Sequence, residues 1–323
     1  MALNEFVANP SPTTSASGLP AFSAQTRLLV VAPHPDDETI ATGLLIQQVL
    51  AAGGEVRILL LTAGDNNPWP QRWLERRLRI GAADRQRWGR RRYAEMLQAL
   101  QCLDVPAQAL QALGWPDLGV TDMLLHAATT AVPTLAAAIN QFRPSLIALP
   151  ALDDHHPDHG SAHVLVRLAL AGQLNPPRLL AYLVHGHACD TGFIEVQGSA
   201  AQSANKRKAL TAHRSQMALS GKRMRRLAAM PERYLDLSTK PAASSSTLPW
   251  QPPRWLWPWL RLSMVSAAGV QSWSWRQAPL QRDSHGAHQL SLLAETAGTP
   301  RFARLALALP TVWIFDHWGW CLL

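Results

Sequence analysis

The chain is predicted to form an α/β fold: a Rossmann-like, open and mostly parallel sheet with helices on both faces, followed by a Trp-rich C-terminal appendage that contains β structure. Two observations predict the sheet. From Arg27 onward, short apolar runs alternate with longer segments of helical period, the β-α repetition that a parallel sheet covered on both sides requires. The 323 residues are also 47% hydrophobic and 16% charged, enough apolar surface to bury a large core without disulfides. A third observation sets the appendage apart: nine of the 13 tryptophans lie from Trp250 onward, within the last residues of or beyond a Pro- and Ser-rich break at residues 239–253 that reads as a linker.

The elements follow in order. Leu28-Leu29-Val30-Val31-Ala32 is a continuous apolar run, which predicts a strand buried on both faces. A helix over 38–52, a strand over 56–61 and a helix over 85–100 come next. A strand over 108–113, a helix over 129–142, a strand over 146–149 and a helix starting near Gly160 complete the alternation. Strands are expected at 179–185 and 193–197, and one helix at 205–219. The expected organisation is a flexible leader (1–26), an α/β domain (27–237), a linker (238–253) and the appendage (254–323). In such sheets ligands collect at the carboxyl ends of strands, where strand order reverses. Residues 33–38, 62–68 and 150–159 occupy those positions.

Several function classes fall away. The net charge of +8 comes from 30 Lys and Arg against 22 Asp and Glu, but the basic clusters at 72–92 and 206–226 read as solvated faces of amphipathic helices. No helix-turn-helix, zinc-finger or RNP-type signature accompanies them, so nucleic acid is not an expected partner. Cys102, Cys189 and Cys321 are odd in number and widely spaced, which suggests neither a disulfide framework nor a thiolate metal cluster; a reducing, cytoplasmic setting is expected. Residues 1–26 lack the pattern of a signal peptide, and no window approaches the roughly 20 apolar residues a membrane span needs. The tail's tryptophans are read as packing residues, with sugar stacking or peripheral membrane contact as the second reading.

The chemistry is concentrated in two loops. The first strand runs into Pro33-His34-Pro35-Asp36-Asp37-Glu38, one imidazole and three carboxylates at a strand-to-helix turn. Helix capping accounts for one acid; it does not account for His34 three residues before Asp37, a spacing that puts an imidazole nitrogen and a carboxylate oxygen on one side of a turn, as two ligands of a divalent cation must be. The second loop is Asp153-Asp154-His155-His156-Pro157-Asp158-His159, with His163 one helical turn later. Catalytic zinc takes three protein ligands and leaves a position for water, a set that two such loops on neighbouring strands can supply.

These residues resemble the PIG-L family, also called LmbE-like, of zinc-dependent N-acetylglucosaminyl de-N-acetylases. The resemblance covers about residues 27–236 and is supported by Arg92-Tyr93-Ala94-Glu95, Tyr182-Leu183-Val184-His185, and Lys208-Ala209-Leu210 leading to His213-Arg214-Ser215-Gln216. It implies zinc, or another divalent metal, held by His34, Asp37 and His159, with Asp36 as the general base. It further implies His156 as stabiliser of the oxyanion and donor to the departing amine, and Asp158 as the carboxylate that orients an imidazole. Arg92 would reach the substrate, and Asp65 and Asn66 would line the sugar pocket. Asp154 stands where some relatives have a tyrosine, and no role is transferred to it. The implied activity is removal of the N-acetyl group from an N-acetylglucosamine-type glycoconjugate, small or lipid-linked. Two alternatives remain open here: a zinc amidase acting on another amide of a sugar or thiol conjugate, and a non-catalytic glycan-binding protein.

Overall fold

A computed structural model describes residues 18–19, 21–186, 192–238, 246–291, 299–309 and 318–323. Its main sheet has seven strands: β1 (Arg27–Ala32), β2 (Glu55–Thr62), β3 (Leu110–Trp115), β4 (Leu146–Pro150), β5 (Arg178–Tyr182), β6 (Phe193–Val196) and β7 (Glu232–Asp236). Their order is β3-β2-β1-β4-β5-β7-β6. Only β7 runs against its neighbours. The helices are α1 (Asp37–Ala51), α2 (Pro68–Glu75), α3 (Ala82–Cys102), α4 (Val120–His126), α5 (Ala128–Phe142), α6 (Pro157–Ala169), α7 (Ala200–Ala212) and α8 (Arg214–Ala229).

The unbroken apolar run of β1 has a direct structural cause. Successive strand side chains point to opposite faces. Leu28, Val30 and Ala32 therefore join a core built with α1, α3 and α7, while Leu29 and Val31 join a second core built with α5 and α6. Strand order reverses between β1 and β4, which pair in parallel, so the crevice beyond their carboxyl ends is bounded by the two chemically dense loops.

The C-terminal region forms a four-stranded antiparallel sheet of β8 (Leu260–Ser266), β9 (Gly269–Ser274), β12 (Phe302–Leu307) and β13 (Trp320–Leu322), in the order β13-β12-β8-β9, together with a hairpin of β10 (Leu280–Arg282) and β11 (His288–Leu290). One face closes its own core around Leu260, Leu262, Leu305, Trp250 and Trp275. The other contributes Val265, Phe302 and Trp320 to the core shared with α5 and α6. Trp320 Nε1 donates to Ser161 Oγ at 3.1 Å, and its ring lies so near Gly160 that a Cβ there would come within 2.8 Å. Glycine is needed at that close approach. The sheet thus packs behind the start of α6, the helix that carries Asp158 and His159.

Several expectations shift. The helix expected over 205–219 is two helices, broken at His213, whose ψ of 56° leaves the helical range. The break frees the Ser215 N–H, which donates to both Glu95 carboxylate oxygens at 3.1 and 3.0 Å, an α8 N-terminus satisfied from another helix. β3 begins at Leu110 rather than 108, after a short 3₁₀ turn at Ala107–Ala109. Helices α2 and α4 and strand β7 have no counterpart in the expected order. At the end of the expected leader, Leu19 is buried in the main core, and within the expected linker Leu248 and Trp250 are buried in the C-terminal core. Among the described residues no single helix is long and apolar enough to cross a membrane; α4 and α5 meet that test only together, across a 114° bend.

Candidate active site

The turn after β1 is pinned from β2: the Thr62 N–H and hydroxyl both donate to the Pro33 carbonyl, at 3.0 and 2.9 Å. Asp36 then takes φ of 125°, a region that costs a residue with a Cβ on the order of 1–3 kcal/mol. The strain is held by its neighbours. The Asp36 N–H donates to Glu38 Oε2 at 2.9 Å, and its carbonyl accepts the N–H groups of Thr39 and Ile40 that open α1. Glu38 is itself held by His213, whose Nε2 lies 3.2 Å from Glu38 Oε1. The outcome is that adjacent acids diverge, with Asp37 buried against two histidines and Asp36 on the wall of an open cavity of about 650 Å³.

His34, Asp37 and His159 converge. His34 Nδ1 is 3.3 Å from Asp37 Oδ2, His159 Nε2 is 3.2 Å from the same oxygen, and the two nitrogens are 3.4 Å apart. Donors on three corners of a tetrahedron, each about 2.0–2.1 Å from zinc, lie about 3.3–3.4 Å from one another. The triangle therefore fits a divalent cation in both donor type and edge length. A looser set replaces Asp37 with His156, with donor atoms within 4.8 Å of one another.

The outer nitrogen of each histidine in the triangle faces a carboxylate. His159 Nδ1 donates to Asp154 Oδ2 at 3.1 Å. His34 Nε2 lies 3.2 Å from both Asp158 Oδ2 and Asp117 Oδ1. The carboxylates are anchored by backbone: Asp154 accepts from the N–H groups of His156, Val184 and His185, Asp158 from Leu118 and Val120, and Asp117 from Asn66. Such partners fix the tautomer and orientation of metal-binding imidazoles, and their removal costs about 10–100-fold in affinity. Asp154→Asn is accordingly expected to weaken divalent-metal binding about 10–100-fold, read by competition with a chromophoric chelator; unchanged affinity would remove Asp154 from this role.

The site's electrostatics follow from the same contacts. Burial works against charge on His159, but Asp154 and Asp37 push its pKa up to about 10. Burial likewise opposes a charged His34, and Asp117, Asp158 and Asp37 outweigh it, holding the ring well above its ordinary value. Burial would raise Asp37, yet His159 and His34 hold it well below the usual carboxylate range. His156 differs: burial first, then its neighbours His34, His159 and His185, keep its pKa well below normal. Its Nδ1 accepts the Asp158 N–H at 3.2 Å, so the neutral ring carries its proton on Nε2, a donor.

The expected site residues are distributed as follows. His34, Asp36, Asp37, His156 and Asn66 line the cavity; His159 and Asp158 stand behind them, fully buried. Arg92 also reaches the wall, but its guanidinium donates to the Gly64 and Pro35 carbonyls, both at 2.6 Å, and lies 3.5 Å from Asp36 Oδ2. It ties the turn after β1 to the segment after β2 and sets a positive charge beside Asp36. It does not pair with Glu95, which is instead engaged by Arg91 and Ser215. Gly64, at φ of 62°, leaves the space for this arrangement, since a Cβ there would meet Arg92 Nη1 at 1.9 Å. Asp65 is not among the cavity-lining residues; it packs beside Gly89 of α3. His155 is exposed, and His163 donates to the Pro150 carbonyl within the core. Sequence reasoning missed Asp117, Asp154 as an orienting acid, and His185, whose Nδ1 is 3.3 Å from Asp154 Oδ1. The available signal was position: Asp117 follows β3 as Asp154 follows β4.

Comparison with known proteins agrees with this geometry. A family model, PIG-L (GlcNAc-PI de-N-acetylase), matches residues 29–170. A 1D-myo-inositol 2-acetamido-2-deoxy-alpha-D-glucopyranoside deacetylase from Mycolicibacterium gilvum is 35% identical over 183 residues, 52% of this chain and 62% of the relative. The protein of the same name from Corynebacterium urealyticum is 29% identical over 245 residues, 60% of this chain and 72% of the relative. The chain spans 53–62% of the length of the Mycolicibacterium and Mycobacteroides relatives it matches. In fold it is similar to N,N'-diacetylchitobiose deacetylase from Pyrococcus horikoshii, with a TM-score of 0.50 and 18% identity over 66% of this chain and 84% of that one. Both chemically dense loops lie inside the span, residues 29–170, that resembles the PIG-L (GlcNAc-PI de-N-acetylase) family.

Proposed function

We propose that the protein is a zinc-dependent N-deacetylase that hydrolyses the acetamide of an N-acetylglucosamine-type conjugate, releasing acetate and a free amine. The observation that carries the reading is the His34–Asp37–His159 triangle, with edges of 3.2–3.4 Å, set beside an unligated acid, Asp36, on the wall of one cavity. Zinc held there supplies a Lewis acid that acidifies water and polarises the amide carbonyl. Every other part comes from the chain. Asp36 accepts a proton from the attacking water and gives it to the departing amine nitrogen as the C–N bond breaks. His156 Nε2–H points its donor toward charge developing on the carbonyl oxygen. Asp154 and Asp158 hold the histidines, and Arg92 keeps Asp36 in place. Asn66, Asn67 and Arg223 on the cavity wall offer polar groups to sugar hydroxyls. We place this chemistry in the cytoplasm, on the sparse and widely spaced cysteines.

The test is a panel of N-acetylated amino-sugar conjugates with inositol, nucleotide, lipid or thiol carriers, assayed for acetate and for new amine. Stoichiometric acetate and amine from a glucosaminyl substrate supports the proposal; cleavage confined to other amides, or to none, overturns it. The pH profile adds a second check. Burial, then Asp37 and Glu38 against the opposing pull of Arg92, raises the Asp36 pKa to about 6. Since only the ionised carboxylate accepts a proton, kcat/KM is expected to fall as pH is lowered through about 6. A rate that stays flat well below that value would contradict the assignment of Asp36.

A further inference from the structure

We infer that the face formed by α2, the segment after it and the facing side of α8 docks on an anionic phospholipid surface. The inference stands whether or not the neighbouring cavity hydrolyses an amide. In Pro68–Glu75 the side chain of Asn67 accepts the Trp69 N–H and Pro68 opens the helix, so Trp69 and Trp73 fall at i and i+4 on one side. Neither is buried: Trp69 is 66% and Trp73 67% exposed, Leu78 just beyond is 89% exposed, and Leu219 of α8 is 51% exposed. With Leu74 these side chains line one shallow concavity of about 740 Å³, interleaved with Arg72, Arg76 and Arg77. Singly exposed apolar residues are ordinary, but a contiguous group of this size rimmed by charge marks an interaction surface.

The occupant follows from composition and charge. Residues 68–79 hold four arginines and one glutamate, and α8 holds Arg214, Lys222, Arg223, Arg225 and Arg226 with no acid. The single glutamate, Glu75, is engaged by Arg87. Tryptophan and leucine beside arginine is the pairing that seats at a lipid headgroup boundary: the apolar groups enter the acyl edge and each cation near an anionic surface adds about 1 kcal/mol. A second copy would set two cationic rims against each other. Nucleic acid would engage the arginines and tryptophans but not Leu74, Leu78 and Leu219. Trp69 lines both this concavity and the catalytic cavity, where Arg223 is also found, so docking turns the cavity mouth toward the headgroups.

The test uses the full chain with phosphatidylcholine vesicles and with equimolar phosphatidylcholine and phosphatidylglycerol vesicles, by co-sedimentation. Binding is expected at least about tenfold stronger with phosphatidylglycerol and is expected to weaken as salt is raised. The exposed pair Trp73→Ser with Leu78→Ser should lower the partition about tenfold or more, and Arg76→Glu with Arg79→Glu should reduce it to the phosphatidylcholine level. Far-UV circular dichroism and Tm confirm that the variants fold; if either does not, the salt and lipid dependence of the unaltered chain decides. Equal sedimentation with both vesicles, or variants that bind like the unaltered chain, overturns the inference. So does a dimer seen by light scattering that the apolar pair abolishes, or an oligonucleotide that binds this face more tightly than the vesicles do.

Discussion

Asp36→Asn is expected to lower kcat/KM for N-acetyl hydrolysis by about 10²–10⁴-fold, the usual worth of a general base, while the metal content stays that of the unaltered protein. The substitution is chosen for the backbone. Asp36 sits at φ of 125°, and asparagine is among the few other residues that tolerate positive φ, so its N–H bond to Glu38 and the start of α1 are retained. Only the charge and the proton acceptor are removed. Asp36 contributes no edge to the ligand triangle, which is why metal and activity should separate in this variant. Near-normal turnover would take Asp36 out of the mechanism, and loss of metal would make it a ligand instead.

His34→Ala is expected to reduce bound divalent metal from about one per chain to a small fraction, and activity with it. His34 supplies one corner of the triangle and also stands between Asp37 on one side and Asp117 and Asp158 on the other, at 3.2–3.3 Å. Metal affinity should fall more in His34→Ala, which removes a donor, than in Asp154→Asn, where all three donors remain. Elemental analysis after gel filtration gives the stoichiometry; a metal content unchanged by His34→Ala would refute the ligand set.

What the sequence revealed depended on how far apart the relevant residues lie. His34, Asp36 and Asp37 are legible because one strand-to-helix turn holds them all, and the β1 run announces that turn. His156, Asp158 and His159 are legible for the same reason after β4. Asp117 is not legible because the apolar pattern of β3 ends at Leu113, two residues before the strand itself ends at Trp115, so the turn that carries Asp117 does not stand out as a strand end. That strand is on the sheet edge with alternating exposure, and its pattern is weaker than that of the central strands. Asp154 is visible in the sequence without a role, since a carboxylate in a polar loop says nothing of the backbone N–H groups of Val184 and His185 that converge on it from β5's far end. Asp65 and Asn66 are both expected to line the cavity, yet the turn places only Asn66 on its wall. In the tail, the packing reading holds for Trp250, Trp275 and Trp320, which are buried, and not for Trp255 and Trp259, which are exposed; that Trp320 rests on Gly160 beside His159 is visible only in the tertiary structure.

One metal, held by His34, Asp37 and His159, is proposed to be what makes this cavity a hydrolase. The most direct measurement titrates zinc into chelator-treated protein and follows bound metal and acetate release from an N-acetylglucosaminyl conjugate in the same samples. Acetate release is expected to rise in proportion to bound zinc and to reach its plateau at one per chain. Hydrolysis at full rate by the metal-free protein, or a plateau that requires a second ion at Asp154 and His185, would contradict it.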